Sequence, residues 1–131
     1  KSWEKYGIHA LETVYPIVGP GFESIQNIGD KNRNIVHLQH SKGIDINIAN
    51  ISDMLGGFGL ISLMGTKSGI QIKSTDTYYA FKKQLQSYVN YLQTGQKPVP
   101  WNETYELMQL VSAGIESREK GGIKITLNKD K

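Results

Sequence analysis

The spacing of apolar residues changes twice along the chain, and each change predicts a different kind of secondary structure. Apolar residues recur at helical spacing over residues 6–18, which predicts an amphipathic helix. Over residues 22–72 they alternate in short runs separated by turns, which predicts about five strands. Helical spacing returns over residues 77–94 and 102–120, and a short alternating run then closes the chain.

This order of helix, five strands, two helices and one strand predicts an α+β fold with an open-faced, mainly antiparallel sheet. The clearest strand has Ile44, Ile46 and Ile48 alternating with polar residues, so one of its faces should be buried. We expect the helices over 77–94 and 102–120 to cover that face. The opposite face should meet solvent or a partner.

Three local features refine these elements. Pro16 lies late in the first helix and predicts a kink or an early end there. Ile25 and Ile28 break the alternation of the first strand, which indicates a β-bulge. Asn102 has the position and chemistry of a helix N-cap.

Composition limits the classes of function. The 131 residues suit a single domain spanning 1–131, and the first residue, Lys1, favours a segment of a longer protein. The net charge of +3 comes with no concentrated basic face, so we expect no nucleic-acid partner. No run of about 18 apolar residues occurs, so we expect no membrane partner. The lack of cysteine leaves the compartment open, with a cytoplasmic location favoured over a periplasmic one.

Two groups of residues resemble a cofactor-binding turn and a metal site, but the spacing of each group argues against that role. Gly56-Gly57-Phe58-Gly59 leads into a strand rather than a helix, which favours a hairpin loop over a dinucleotide-binding turn. His37 and His40 lie three apart on a strand and should point to opposite faces, so they cannot share a metal ion. We therefore expect no cofactor-binding residues and no metal site in this chain.

His9 is the best candidate for chemistry. Glu12 lies one helical turn after it on the same side of the helix. A histidine beside a carboxylate can act as a general acid or base, because the ordinary pKa of histidine is about 6.5. A plain surface residue of the helix is the alternative interpretation.

The segment Tyr6-Gly7-Ile8-His9-Ala10-Leu11-Glu12 resembles the helix that opens the carboxy-terminal domain of the glucose–fructose oxidoreductase and inositol dehydrogenase family (Gfo/Idh/MocA). That family carries Asp-x-Gly-x-His-x-x-Asp there, so Gly7 and His9 match and Glu12 is a conservative change. The connector over residues 94–99 and the helix end over 116–122 are similar to the family's closing pattern. The resemblance covers nearly the whole chain.

The resemblance implies the substrate-binding and oligomerisation domain of an NAD(P)-dependent oxidoreductase that acts on a sugar, polyol or derivative. NAD or NADP would be held by a separate Rossmann domain, so the chain alone would be inert. A homo-oligomer would form through the sheet. His9 would be catalytic and transfer the proton of the substrate hydroxyl, with Lys5, Tyr6 and Glu12 as substrate-binding residues.

Lys5 stands where the family has an aspartate one turn before the histidine. A lysine there disfavours the imidazolium form, whereas an aspartate would stabilise it. This departure keeps two alternatives open. The chain is a non-catalytic carbohydrate-binding or dimerisation module, or it belongs to a member with glycoside-cleaving chemistry.

Overall fold

The computed structural model describes residues 2–54, 59–73 and 76–127. The elements within these ranges follow the predicted order and confirm the α+β class. They are α1 (Trp3–Val18), β1 (Phe22–Asn27), β2 (Arg33–His40), β3 (Ile44–Ile51), β4 (Leu60–Met64), β5 (Gly69–Lys73), α2 (Thr77–Thr94), α3 (Trp101–Glu119) and β6 (Ile125–Thr126).

The chain divides into two compact units. The first comprises Lys1–Met54 with Trp101–Lys131, and the second comprises Leu55–Pro100. The first unit holds an antiparallel sheet in the order β3-β2-β1-β6, and the second holds the antiparallel hairpin β4-β5. Helix α2 belongs to the second unit, ends at Gly95 in the left-handed conformation, and has no buried residue.

The core of the first unit lies between its sheet and the helices α1 and α3. Ile46 and Ile48 are each 8% exposed, while Asp45 and Asn47 are exposed, which confirms the register predicted for β3. Ile44, at the start of the strand, is exposed, so the buried part of this face begins at Ile46. Helices α1 and α3 pack on this face, so the cover expected from the helix over 102–120 is confirmed, while the cover by α1 was not predicted. An apolar stripe on a helix indicates that this side of the helix can be buried, but it does not indicate which element of the fold covers it.

The local predictions have mixed outcomes. The register of β1 against β2 shifts between Phe22 and Ser24, whereas the pairing is regular from Ser24 to Asn27, so the irregularity lies before the position that Ile25 and Ile28 predicted. Helix α1 includes Pro16 and ends two residues later, at Val18. Helix α3 begins at Trp101, so Asn102 lies in its first turn rather than at its cap. Gly56, Gly57 and Phe58 lie outside the described residues, so the loop predicted there stays a prediction.

Trp3 fixes the contact between α1 and α3. Its side chain is fully buried, and its indole Nε1 donates a hydrogen bond to the carbonyl of Val111 at 3.0 Å. A Cβ atom at Gly7 or at Gly114 would come within 2.6 Å of the indole. Both glycines are therefore needed for the ring to fit between the helices.

Polar contacts anchor both ends of the same helix pair. Arg118 of α3 forms an ion pair with Glu4 at the start of α1 and donates to Asn34 Oδ1 of β2 at 3.0 Å. Near the other end, Glu106 of α3 accepts a 2.7 Å hydrogen bond from the hydroxyl of Tyr15. Its second carboxylate oxygen accepts from the backbone N–H groups of residues 21 and 22, both at 2.9 Å. These contacts hold α1 in one position against the sheet.

Candidate functional site on helix α1

The residues predicted for the site share the exposed side of α1. Lys5, Tyr6, His9 and Glu12 are all exposed, whereas the buried residues of this helix recur on its other side. That buried set is Trp3, Gly7, Leu11, Tyr15 and Val18. The structure thus brings the four predicted residues together on one surface.

His9 and Glu12 form the central pair of this surface. His9 Nδ1 lies 3.2 Å from Glu12 Oε2, and the two side chains are 50% and 54% exposed. A hydrogen on Nδ1 donated to the carboxylate fixes the tautomer and the orientation of the ring. The basic lone pair then resides on Nε2. The arrangement can therefore accept a proton at Nε2 while the carboxylate stabilises the positive ring.

Tyr6 and Lys5 extend the surface towards the start of the helix. The ring centroids of Tyr6 and His9 lie 6.1 Å apart at an interplanar angle of 56°. Lys5 lies one turn before His9, the spacing at which helical side chains are neighbours. The side chains thus supply an ammonium, a phenol, an imidazole and a carboxylate along about two helical turns.

The glycine of the motif has a structural role. Gly7 lies on the buried side of α1 under the indole of Trp3, so its lack of a Cβ atom sets how closely α1 and α3 approach. The spacing Gly7-x-His9 then places His9 on the side that faces away from Trp3. Gly7 therefore positions the helix.

Electrostatics tie the start of α1 to α3. The hydrogen bond from the Arg118 guanidinium holds the pKa of Glu4 below its usual range. The side chain of Arg118 is 6% exposed and that of Glu4 is 38% exposed, so the pair is half in solvent. Glu4 is therefore engaged with the core rather than with the exposed surface that carries His9.

A second histidine–carboxylate pair lies on the open face of the sheet. His37 Nε2 lies 3.0 Å from Asp45 Oδ1, with side chains 40% and 66% exposed. His40 points to the other face and is buried, with Nε2 3.1 Å from the carbonyl of Pro20. The opposite orientations of the two histidines are thus confirmed. Sequence reasoning missed Asp45, because this pair becomes visible only when the register of β2 against β3 is known.

The described helices do not begin at the kind of turn that usually binds the pyrophosphate of a dinucleotide. In the common dinucleotide-binding arrangement, a glycine-rich turn opens a helix whose free N–H groups bind the pyrophosphate. The start of α2 is instead capped by the carboxylate of Asp76, which accepts from the N–H of Tyr79 at 2.8 Å. The start of α3 follows Pro98 and Pro100. Within residues 2–54, 59–73 and 76–127, no strand leads through a glycine-rich turn into a helix.

No three His, Asp or Glu side chains in these same ranges are placed to hold a metal ion. None of the helices in the described part of the chain has the length and apolar character required to cross a membrane.

Comparison of the chain with models of known protein families found no matching family, and comparison with curated proteins found no matching relative.

Proposed function

We propose that this chain is the substrate-side domain of an NAD(P)-dependent oxidoreductase that acts on a sugar, a polyol or a derivative. The observation that carries the proposal is the His9–Glu12 pair, exposed on a helix whose position is fixed from behind by Trp3 and Gly7. A proton-transfer group needs to be accessible and rigidly supported, and this pair is exposed on a helix packed against α3.

In the proposed reaction, His9 Nε2 accepts the proton of a substrate hydroxyl. Glu12 accepts a hydrogen bond from Nδ1–H and stabilises the imidazolium that forms, since the two atoms lie 3.2 Å apart. Tyr6 and Lys5 contact the substrate beside His9. The nucleotide would be held by a separate Rossmann domain, because the described residues include no glycine-rich turn that opens a helix. The chain by itself would then be inert.

The proposed oligomer places a second copy against the open face of the sheet. On β2 and β3 that face carries the polar and charged side chains of His37, Gln39, Asp45 and Asn47. A polar face of this kind suits a hydrated interface rather than a dry one. Sedimentation of the chain should therefore reveal a species larger than the monomer, and Asp45→Arg should weaken it.

A binding or assembly module without catalysis is the second candidate. The observation that favours it is Lys5, whose charge opposes a positive His9 where the resembled family has an acid. Under this hypothesis the surface binds a sugar, or the sheet only assembles subunits. A glycoside-cleaving member of the resembled family would use the same helix.

Two measurements test the proposal. Calorimetric titration of the 131-residue chain with NADH and NADPH should show no low-micromolar binding. The longer protein encoded by the same reading frame should reduce NAD or NADP when supplied with polyols and sugars. The proposal fails if the chain itself binds the nucleotide tightly, or if the reading frame encodes no dinucleotide-binding domain.

A further inference from the structure

Helix α2 carries an apolar stripe that is open to solvent. Tyr78, Phe81, Leu85, Val89 and Leu92 share one side of the helix and are between 48% and 77% exposed. Over the full described length of α2, no residue is buried. A helix of 18 residues is marginally stable by itself, because helices in proteins gain most of their stability from packing an apolar side. The stripe therefore needs a surface to pack against.

We propose that α2 pairs with the α2 of a second copy of this chain, in antiparallel orientation. The five apolar residues of the stripe are separated by intervals of three, four, four and three, which read the same from either end. A two-fold axis at Leu85 therefore brings each apolar residue to the level of an apolar residue in the copy. Leu85 meets the partner's Leu85, and Tyr78 comes to the level of the partner's Leu92.

The side chains of the stripe also differ in size in a way that suits this orientation. The two aromatic rings, Tyr78 and Phe81, lie in the first half of α2, and the smaller Val89 and Leu92 lie in the second half. Antiparallel pairing places large side chains at the level of small ones, which keeps the distance between the two helices even. Parallel pairing would crowd four rings at one end and leave aliphatic side chains at the other.

The charges of α2 favour the same orientation. The helix has Lys82 and Lys83 in its first half and no acidic residue between Thr77 and Thr94. Lys83 Nζ lies 5.5 Å from the ring centroid of Tyr79, away from the stripe, so Lys82 is the cation at the edge of the stripe. In the antiparallel pair, Lys82 lies beside the uncharged second half of the partner helix, towards the negative end of its dipole. A parallel pair would bring both Lys82 ammonium groups to one level.

The area of the stripe is sufficient for a specific dimer of modest affinity. An aromatic side chain buries about 150–250 Å² when it is fully covered. With the exposed fractions of its five residues, the stripe offers roughly 600 Å² per copy, or about 1,200 Å² for the pair, which is the lower limit for specific interfaces. We therefore expect a dissociation constant in the micromolar range. This interface lies on α2 and does not rest on the proposed function or on the open face of the sheet.

The first experiment measures association of the 131-residue chain by sedimentation equilibrium, in an Asp45→Arg background that disables the open face of the sheet. The chain should form a dimer whose population increases between about 1 and 300 µM. Leu85→Lys should raise the dissociation constant more than about tenfold, because two ammonium groups would then meet at the two-fold axis. Ser87→Lys adds the same charge on the opposite side of α2 and should leave the constant unchanged.

The second experiment determines the orientation by disulfide cross-linking, for which the cysteine-free chain is suited. Leu85→Cys should form a covalent dimer under mild oxidation. Tyr78→Cys and Leu92→Cys should each stay uncross-linked, since two copies of the same residue lie about 21 Å apart in the antiparallel pair. An equimolar mixture of these two variants should cross-link, and Ser87→Cys is the matched control that should not.

Three outcomes would overturn the proposal. A chain that stays monomeric at all these concentrations would mean that another part of the longer protein, or a different protein, covers α2. An equal loss of association in Leu85→Lys and Ser87→Lys would assign the effect to charge rather than to the stripe. Cross-linking of Tyr78→Cys with itself, without cross-linking in the mixture, would make the pair parallel.

Discussion

The outer side of α1 and the open face of the sheet carry the same chemical pair in different settings. His9 and Glu12 lie 3.2 Å apart, and His37 and Asp45 lie 3.0 Å apart. The polar side chains near His37 are hydrogen-bonded to one another. Gln39 Oε1 accepts hydrogen bonds from the Ser24 hydroxyl at 3.2 Å and from the Lys124 ammonium group. On α1, Lys5 is exposed beside the pair. A histidine beside a carboxylate does not by itself indicate a function. The charged side chains around each pair are what distinguish His9–Glu12 from His37–Asp45.

The strongest test of this difference removes each imidazole in turn. In the longer protein, His9→Ala should lower turnover by about 10²–10⁴-fold, because a positioned acid or base contributes that much. His37→Ala should leave turnover nearly unchanged and serves as the matched control. The measurement is the steady-state rate per folded molecule, with folding checked by circular dichroism. Near-full activity of a folded His9→Ala would make the catalytic assignment wrong and favour the binding module.

The next test disturbs the contact of α1 with α3 at Trp3 and leaves both histidine–carboxylate pairs unchanged. Gly7→Ala places a Cβ atom against the indole of Trp3, at 2.6 Å, and should destabilise the chain by about 1–3 kcal/mol. Gly114→Ala meets the same ring and should cost a similar amount. Ser112→Ala on the exposed side of α3 is the control and should change little. Urea unfolding measures all three. A neutral Gly7→Ala would mean that Trp3 does not hold the helices together.

Some features of the fold and of the site could be predicted from the sequence, and others could not. The order of elements, the register of β3 and the exposed stripe with His9 follow from local periodicity, which is written in neighbouring residues. The Trp3 contact joins Gly7 to Gly114 across more than a hundred positions, and no periodicity marks such a pair. The covering of the β3 face by α1 was missed for the same reason. The His37–Asp45 pair likewise needs the register of two strands.

A smaller effect is expected from the ion pair at the start of α1. Because the pKa of Glu4 is lowered in the folded chain, its contribution to stability is present above the unfolded value of about 4.5 and is lost as the pH falls through the folded value. Glu4→Gln should therefore cost less than about 1 kcal/mol at neutral pH, since the pair is partly exposed. The variant should also lose part of the acid dependence. Denaturation at pH 7 and pH 3 measures both effects.

The matched control is Asp53→Asn, which removes an exposed carboxylate from the turn after β3 without touching α1 or the open face of the sheet. The difference in unfolding free energy between pH 7 and pH 3 should change less in this variant than in Glu4→Gln. An acid dependence unaltered by Glu4→Gln would contradict the role given to Arg118 in lowering the pKa of Glu4.

The smallest predicted effect concerns Lys5 and the pH dependence of the longer protein. Replacing Lys5 by Asp restores the acid of the resembled family one turn before His9, and an acid there favours the protonated imidazole. If His9 must be unprotonated to accept the hydroxyl proton, the acid limb of the pH–rate profile should move to higher pH. The shift should be under about one pH unit, because both side chains are exposed and screened by solvent. Lys31→Asp makes the same change in net charge far along the chain and should leave the profile in place. An equal shift in both variants would mean that overall charge, and not the residue at position 5, sets the pH dependence. The charges around His9 would then not distinguish the His9–Glu12 pair from the His37–Asp45 pair.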